Sequence, residues 1–319
     1  METLYDVAVV GGSFAGLGGA VALARSRRSV AVIDAGTPRN APSAGAHNVL
    51  GREGVSPLEL LAEGRREALG YGAELIEGEA VTARRDGEGF VLGLRDGTAV
   101  HARRLLLATG LVDELPDLPG LRELWGKSVL HCPYCHGWEV RDQRVGILGT
   151  DERALHQALL FRQLSESVTL LRHTMPELDG EAAEQLAALG VDVVEGTVAR
   201  LAADGGALRA AMLDDGRELA LDALVVAPAF VARTALYEQL GGTPSPHPMG
   251  TFIETDPMGR TGVPGVWAAG NARDLAAMVS ASSAAGVMAG AAINADLVMD
   301  GAARAVASRR ATPPPAVVR

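Results

Sequence analysis

The chain has 319 residues, of which 48% are apolar, 21% charged and only 4% aromatic, a profile that excludes a disordered chain and leaves room for two packed cores. A formal net charge of −10 with no basic block argues against nucleic-acid partners. Two cysteines in a chain without an export signal cannot build a disulfide framework, so they point to redox chemistry or a metal.

The N-terminus, Met1-Glu2-Thr3-Leu4-Tyr5-Asp6, has neither the basic nor the apolar region of a secretory signal, and a cytoplasmic location is expected. A buried strand follows, Asp6-Val7-Ala8-Val9-Val10, then the glycine turn Gly11-Gly12-Ser13-Phe14-Ala15-Gly16. An Ala-rich helix to about Arg25 and a second strand, Ser29-Val30-Ala31-Val32-Ile33-Asp34, complete a βαβ unit. Such a turn brings backbone N–H groups and a helix N-terminus up to a pyrophosphate, and an acid ending the second strand accepts from ribose hydroxyls. Gly11 and Gly16 hold the outer positions of G-x-G-x-x-G, Ser13 stands where the middle glycine belongs, and Asp34 is the acid. A strand–helix turn without a ligand is the alternative reading.

A Pro-, Asn- and Gly-rich loop covers 35–54, a helix is expected over 57–71, and short strands follow with turns at Asp86-Gly87 and Asp96-Gly97. The strand Leu105-Leu106-Leu107-Ala108 closes on Thr109-Gly110, and the Pro-rich segment 115–119 looks like a hinge.

Then comes Cys132-Pro133-Tyr134-Cys135, flanked by His131 and His136. A dithiol at this spacing can close a disulfide ring, and its N-terminal thiol usually does the exchanging. A C-x-x-C-His string also marks c-type haem attachment, which needs export, and zinc would need two further ligands. The four letters match glutaredoxin as well, but there they open a small domain. No metal is expected. A thiol–disulfide enzyme needs a base to form thiolates and protonate leaving thiols; His136 is the first choice and His131 the second.

A second βαβ begins at Arg144-Val145-Gly146-Ile147-Leu148-Gly149, with a helix over 152–164 and the strand Val168-Thr169-Leu170-Leu171. Its turn, Gly149-Thr150-Asp151-Glu152-Arg153-Ala154, carries Asp151 in place of the phosphate-approaching glycine, with Glu152 beside it. Two carboxylates at a helix N-terminus favour the helix but repel a pyrophosphate, and Arg172-His173-Thr174 offers one firm cation for a 2′-phosphate. The pattern counts against NAD(P)H binding. Further strands are expected near 191–194 and 221–227, and the Pro/Gly cluster 241–250 reads as a return hinge. The strand Gly265-Val266-Trp267-Ala268-Ala269 meets Gly270-Asn271, and 276–294 is uncharged but made largely of Ala, Gly and Ser, which suits a tightly packed internal helix better than a membrane span.

Taken in order, Gly11–Gly16, Leu107-Ala108-Thr109-Gly110, the dithiol and Gly265–Asn271 resemble the low-molecular-weight thioredoxin reductase family over about residues 4–300. The resemblance implies an α/β fold of two Rossmann-like, three-layer ββα nucleotide-binding domains in a homodimer. By it, 1–113 and 248–302 form a discontinuous FAD-binding domain, 114–247 an NAD(P)H-binding-like domain carrying the dithiol, and 303–319 a disordered tail. FAD contacts are then expected from Gly11, Gly12, Ser13, Phe14, Ala15, Gly16, Asp34, Ala35, Arg39, Asn40, His47, Val81, Ala108, Thr109, Gly110, Gly270, Asn271 and Ser280, with Cys135 the thiol nearer the flavin.

Three departures stand out: His136 replaces the reductases' aspartate after the second cysteine, the NADPH motifs are altered, and Gly270-Asn271 replaces Gly-Asp. The string from His131 to Glu139 and the Pro38-Arg39-Asn40-Ala41-Pro42-Ser43 loop look more like the dithiol oxidases of gliotoxin and holomycin biosynthesis. That branch works without NADPH, closing a small-molecule dithiol to its disulfide and passing electrons through FAD to O2. A thioredoxin reductase driven by NADPH or another donor, and a flavin-bound redox sensor, are the competing readings.

Overall fold

The computed structural model describes residues 3–311. They fall into two compact units. The first holds the described residues up to Pro38, Leu58–Leu111 and those from Ala232 onward; the second holds Arg39–Pro57 and Val112–Val231.

In the first unit, strands β1 (Leu4–Val10), β2 (Val30–Asp34) and β3 (Glu74–Glu77) are joined by the meander β4 (Ala80–Asp86), β5 (Gly89–Leu94) and β6 (Ala99–Leu107) in one sheet of order β3-β2-β1-β6-β5-β4. β1 is a continuous Val/Ala run because it is covered on both faces. Val7 and Val9 face a layer built from helix α1 (Phe14–Arg25), helix α2 (Pro57–Gly70) and the C-terminal helix Val279–Ala311. Ala8 and Val10 face the meander and the short helix Ala235–Gln239. The strand Val266–Ala268 runs parallel to the second half of β6. In the register Val10↔Ile33, Val10↔Leu107 and Ala268↔Leu107, four parallel strands end together. Gly11, Asp34, Ala108 and Gly270 therefore share one sheet edge, where α/β sheets bind ligands.

The second unit is a parallel sheet of Asp192–Val194, Val168–Leu171, Val145–Leu148, Ala223–Val225 and Val129–Leu130, in that spatial order, with a separate three-stranded antiparallel sheet. Successive residues alternate between two cores: Leu148, Leu171 and Leu224 pack in one, and Ile147, Leu170 and Val225 in the other. The strands Val129–Leu130 and Val145–Leu148 both run parallel to Ala223–Val225, so the dithiol and the second glycine turn leave the sheet at the same edge.

The domain boundaries expected from sequence shift in three places. The second crossing falls at Val231/Ala232 instead of 247/248, because Leu236 and Tyr237 are buried in the first unit's core. The Pro/Gly cluster 241–250 is accordingly no hinge: it forms the hairpin Ser245–His247 with Gly250–Phe252. The loop Arg39–Pro57 belongs to the dithiol unit, tied by Arg39–Asp113, Ser43–His136 and Asn48–Tyr134. Residues 303–311, expected as tail, continue the C-terminal helix, where Ala-rich sequence and an i,i+4 pair from Asp300 to Arg304 favour it; 312–319 lie outside the described residues.

That helix is long and apolar enough by composition to cross a membrane. Its small-residue stripe packs against α1, with a Cβ at Gly286 falling 1.9 Å from the Ala15 carbonyl oxygen and one at Gly290 2.8 Å from that of Gly19.

Candidate active site

The first glycine turn is a cradle that side chains would fill. Gly11 has φ +105, and a Cβ there would lie 2.2 Å from the Ala108 carbonyl oxygen. A Cβ on Gly16 would lie 1.8 Å from the Gly11 oxygen. Ser13 occupies the N-cap with extended backbone, and its carbonyl accepts the first helical bond from Leu17, but its side chain caps nothing. The first-turn N–H groups of α1, at Phe14, Ala15 and Gly16, are thus left to face the turn, as an anion site requires. Asp34 closes one side, accepting from the Gly12 N–H at 3.1 Å and from Arg65. Gly270 (φ +66) sits against Ala15, and the Asn271 amide donates to the carbonyls of Asp274 and Ala277, shaping the approach to the exposed Ser280. Thr109 donates to the Arg233 carbonyl, Gly110 accepts from the Arg233 N–H, and exposed Ala35 follows Asp34. Val81 lies at a register irregularity of β4, its carbonyl accepting from Gln239. A dinucleotide fits this edge. Substituting Gly16→Val should leave a protein purified without the flavin absorbance near 450 nm, and full flavin retention would contradict the cradle.

Arg39, Asn40 and His47 lie in the other unit. Arg39 grips Asp113 with two bonds, Nε at 2.8 Å and Nη2 at 2.6 Å, and stacks 5.1 Å over the Phe230 ring. Asn40 begins a turn by accepting from the Ser43 N–H, and His47 pairs with Glu53 and Glu139.

Cys132 caps the single helical turn Pro133–His136, where proline supplies the fixed φ of a first helical position. The two sulfurs are 2.7 Å apart. A hydrogen bond from the Cys135 thiol lowers the Cys132 thiol to about 7 against the opposing effect of burial, helped by the N–H groups of Cys135 and Tyr134 and by the charge of Arg39. The same partnership pushes Cys135 strongly upward. These opposite shifts favour ionisation of Cys132 before Cys135 in the reduced pair.

His131 is enclosed, edge-on to Phe230 at 5.0 Å and next to the Gln157 amide, which donates to the Val226 carbonyl. Burial, with the Arg39 charge, holds its imidazole down at about 4. An unfolded-state histidine titrates at about 6.5, so below that pH the unfolded chain binds more protons and stability falls as pH drops from about 6.5 toward 4. Thermal melts should record a loss on the order of 3 kcal/mol across that window from this group. A His131→Gln variant with an undiminished pH slope would reject the assignment. Burial also lowers His136, with Glu139 opposing and His47 reinforcing the shift. Its Nε2 lies 2.9 Å from Ser43 Oγ.

At the second glycine turn two of the chain's own side chains pair with each other. The Asp151 carboxylate accepts from the Arg153 N–H at 2.9 Å, just ahead of the helix Arg153–Phe161. The Arg153 guanidinium returns to Asp151 at 2.9 and 2.7 Å and also donates to the carbonyls of Pro228 and Ala227 at 3.0 and 3.2 Å. It thereby spans the gap between the ends of two adjacent parallel strands, where a nucleotide would lie. Gly149 is needed for packing, since a Cβ would meet the carbonyl oxygens of Leu171 and Arg172 at 2.8 Å, and Arg172 is paired with Glu195 at 2.6 Å. Sequence reading found the misplaced carboxylates but missed Arg153; the signal available was an Asp-x-Arg string at a helix start.

Residues 5–289 match the family model of the pyridine nucleotide-disulphide oxidoreductases. The chain belongs to this family. The oxidoreductase is 34% identical over 285 residues to "Thioredoxin reductase tcpT" of Claviceps purpurea (strain 20.1), covering 85% of this chain and 87% of that protein. The crystal structure of HlmI superposes with a TM-score of 0.90 at 46% identity, covering 96% of this chain and 97% of that one. The oxidoreductase from Agrobacterium tumefaciens gives a TM-score of 0.88 at 35% identity, over 94% and 99% of the two chains. The oxidoreductase is thus a flavin-dependent enzyme with a thioredoxin reductase-like α/β fold.

Proposed function

We propose that this flavoprotein oxidises the two thiols of a small natural-product dithiol to an intramolecular disulfide, with O2 as final electron acceptor and H2O2 as product. The observation that supports the reading is the second helix N-terminus, where the Asp151 carboxylate takes the Arg153 N–H and the Arg153 guanidinium bridges Asp151 and the Pro228 carbonyl, an arrangement that counts against a nicotinamide donor. Electrons then have to enter through the dithiol. The resemblance of the His131–Glu139 string and the 38–43 loop to gliotoxin- and holomycin-type dithiol oxidases supports the same direction of flow.

The protein's own residues divide the work. A substrate thiol gives its proton to His136, and the thiolate attacks Cys132 of the Cys132–Cys135 disulfide; that S–S bond breaks and Cys135 leaves as a thiolate, to be protonated by His136. The second substrate thiol gives its proton to the again neutral His136, and its thiolate attacks the substrate sulfur of the mixed disulfide; the cyclic product departs, and Cys132 is released as the thiolate that the Cys135 thiol, the backbone N–H groups and Arg39 favour. His131, half-buried with its imidazole held at about 4, is a poor proton acceptor near neutrality, which favours His136 as the base. When bound, FAD would supply the two-electron acceptor for re-forming the Cys132–Cys135 disulfide, with O2 as the final acceptor.

Cytoplasmic location and a homodimer belong to the same reading. Val287 and Val298, like Met288 and Met299, recur three helical turns apart on exposed faces of the C-terminal helix, and a second subunit would cover them. The relatives' name, thioredoxin reductase, supports the alternative of an NADPH-driven reductase. Oxygen uptake with a panel of small dithiols, with NADPH as a parallel donor, separates the two: dithiol-dependent uptake yielding one H2O2 per disulfide is expected, and uptake or flavin bleaching with NADPH alone would replace the oxidase by the reductase.

A further inference from the structure

We propose that Ser43 is a positioning residue for the dithiol reaction, holding the His136 ring with its proton on Nε2 so that Nδ1 is the atom that takes the substrate thiol's proton. The inference rests on the reading of His136 as the base. Ser43 reaches the ring because the turn from Asn40 to Ser43, closed at 3.1 Å, carries the loop back onto the dithiol helix. A serine hydroxyl has one hydrogen. It is committed to the Gly45 carbonyl, 2.8 Å away. The 2.9 Å contact with His136 Nε2 is then a hydrogen bond only if Nε2–H donates and the Ser43 oxygen accepts. A neutral imidazole carries a single N–H, so the lone pair is on Nδ1.

The contact also fixes ring rotation. Turning the ring by a half-turn about its Cβ–Cγ bond would exchange Nε2 for a carbon and lose the bond. Glu139 and His47 face His136 from neighbouring segments, and Cys132 and Cys135 share its helical turn. Glu139 favours the imidazolium; burial and His47 disfavour it. The ring therefore rests neutral, and its orientation decides which nitrogen can act. When Nδ1 gains the substrate proton, the Nε2–H bond to Ser43 becomes charge-assisted and stronger. The proton then passes from Nδ1 to the departing Cys135 thiolate, so the ring returns to its starting tautomer and can take the proton of the second substrate thiol at the same atom.

The test is anaerobic flavin reduction of the holoenzyme by dithiothreitol between pH 5 and 9, with nitrogen NMR of the His136 ring. In the wild type the protonated nitrogen should be Nε2. Ser43→Ala should slow reduction roughly tenfold, a part of the 10²–10⁴-fold that a positioned base supplies, and should shift the acid limb of the profile to lower pH. Ser43→Thr, which keeps the hydroxyl, should restore most of the rate. A wild-type ring protonated on Nδ1 overturns the proposal without any variant. So does a Ser43→Ala enzyme with an unmoved acid limb, fast or slow, while His136→Ala is impaired; the base assignment would then survive and Ser43 would drop out. A His136→Ala enzyme with the wild-type profile would remove the base assignment itself.

Discussion

A Cys135→Ser holoenzyme should stay yellow yet lose dithiol-dependent flavin reduction by at least roughly 10³-fold, the scale of removing a member of a nucleophilic relay. The flavin cradle lies on the Gly11–Gly16 edge of the other unit, so binding and turnover should come apart. The substitution has a second consequence. The Cys135 thiol is the principal cause of the low Cys132 value of about 7, ahead of the backbone N–H groups and Arg39. Reduced wild-type enzyme should therefore be alkylated by iodoacetamide at Cys132 with a midpoint near pH 7, since only the thiolate reacts. In Cys135→Ser that midpoint should rise. A variant that turned over normally, or a wild-type enzyme alkylated first at Cys135, would remove the proposed order of the two sulfurs.

NADPH should fail to bleach the flavin under anaerobic conditions in which dithiothreitol bleaches it, with rates separated by at least roughly 10²-fold. An open helix N-terminus stabilises a pyrophosphate through free N–H groups and the helix dipole. Here Asp151 already takes the first N–H, and Arg153 occupies the space between Gly149 and Ala227–Pro228. The double substitution Asp151→Gly with Arg153→Ala frees both. It should allow measurable NADPH binding by titration calorimetry where the wild type shows none. Tight binding of NADPH to the wild-type enzyme would show the cap to be no obstacle and would favour the reductase.

The two βαβ units were legible because their signals are local. A Val/Ala run, a glycine turn and an acid at the next strand's end fall within one stretch of chain, and β1, α1 and β2 formed as expected. The dithiol's position after an edge strand followed from the same logic. What depends on distant partners was not legible. The 39–57 loop has the composition of any surface loop, and only contacts such as Ser43 with His136 or Asn48 with Tyr134 assign it to the second unit. Proline and glycine mark hinges and hairpins alike, and only the packing of Tyr237 against Gly242 tells the two apart at 241–250. Arg153 looked like an ordinary first-turn residue, since the carbonyls it bridges lie more than seventy residues on. The asymmetry of the thiols is likewise three-dimensional, because it comes from the Cys135 thiol and the N–H groups of Cys135 and Tyr134 turned toward Cys132.

On the proposed oxidase reading, a helix start held by its own aspartate and arginine would also uncouple the enzyme from the metabolic state of its host. Its throughput would not follow the balance of reduced to oxidised pyridine nucleotides, and starvation or oxidative stress that drains that pool would leave it running. Aeration and precursor supply would set the pace instead, so a producing cell would need peroxide-scavenging capacity in proportion to the amount of this protein it makes.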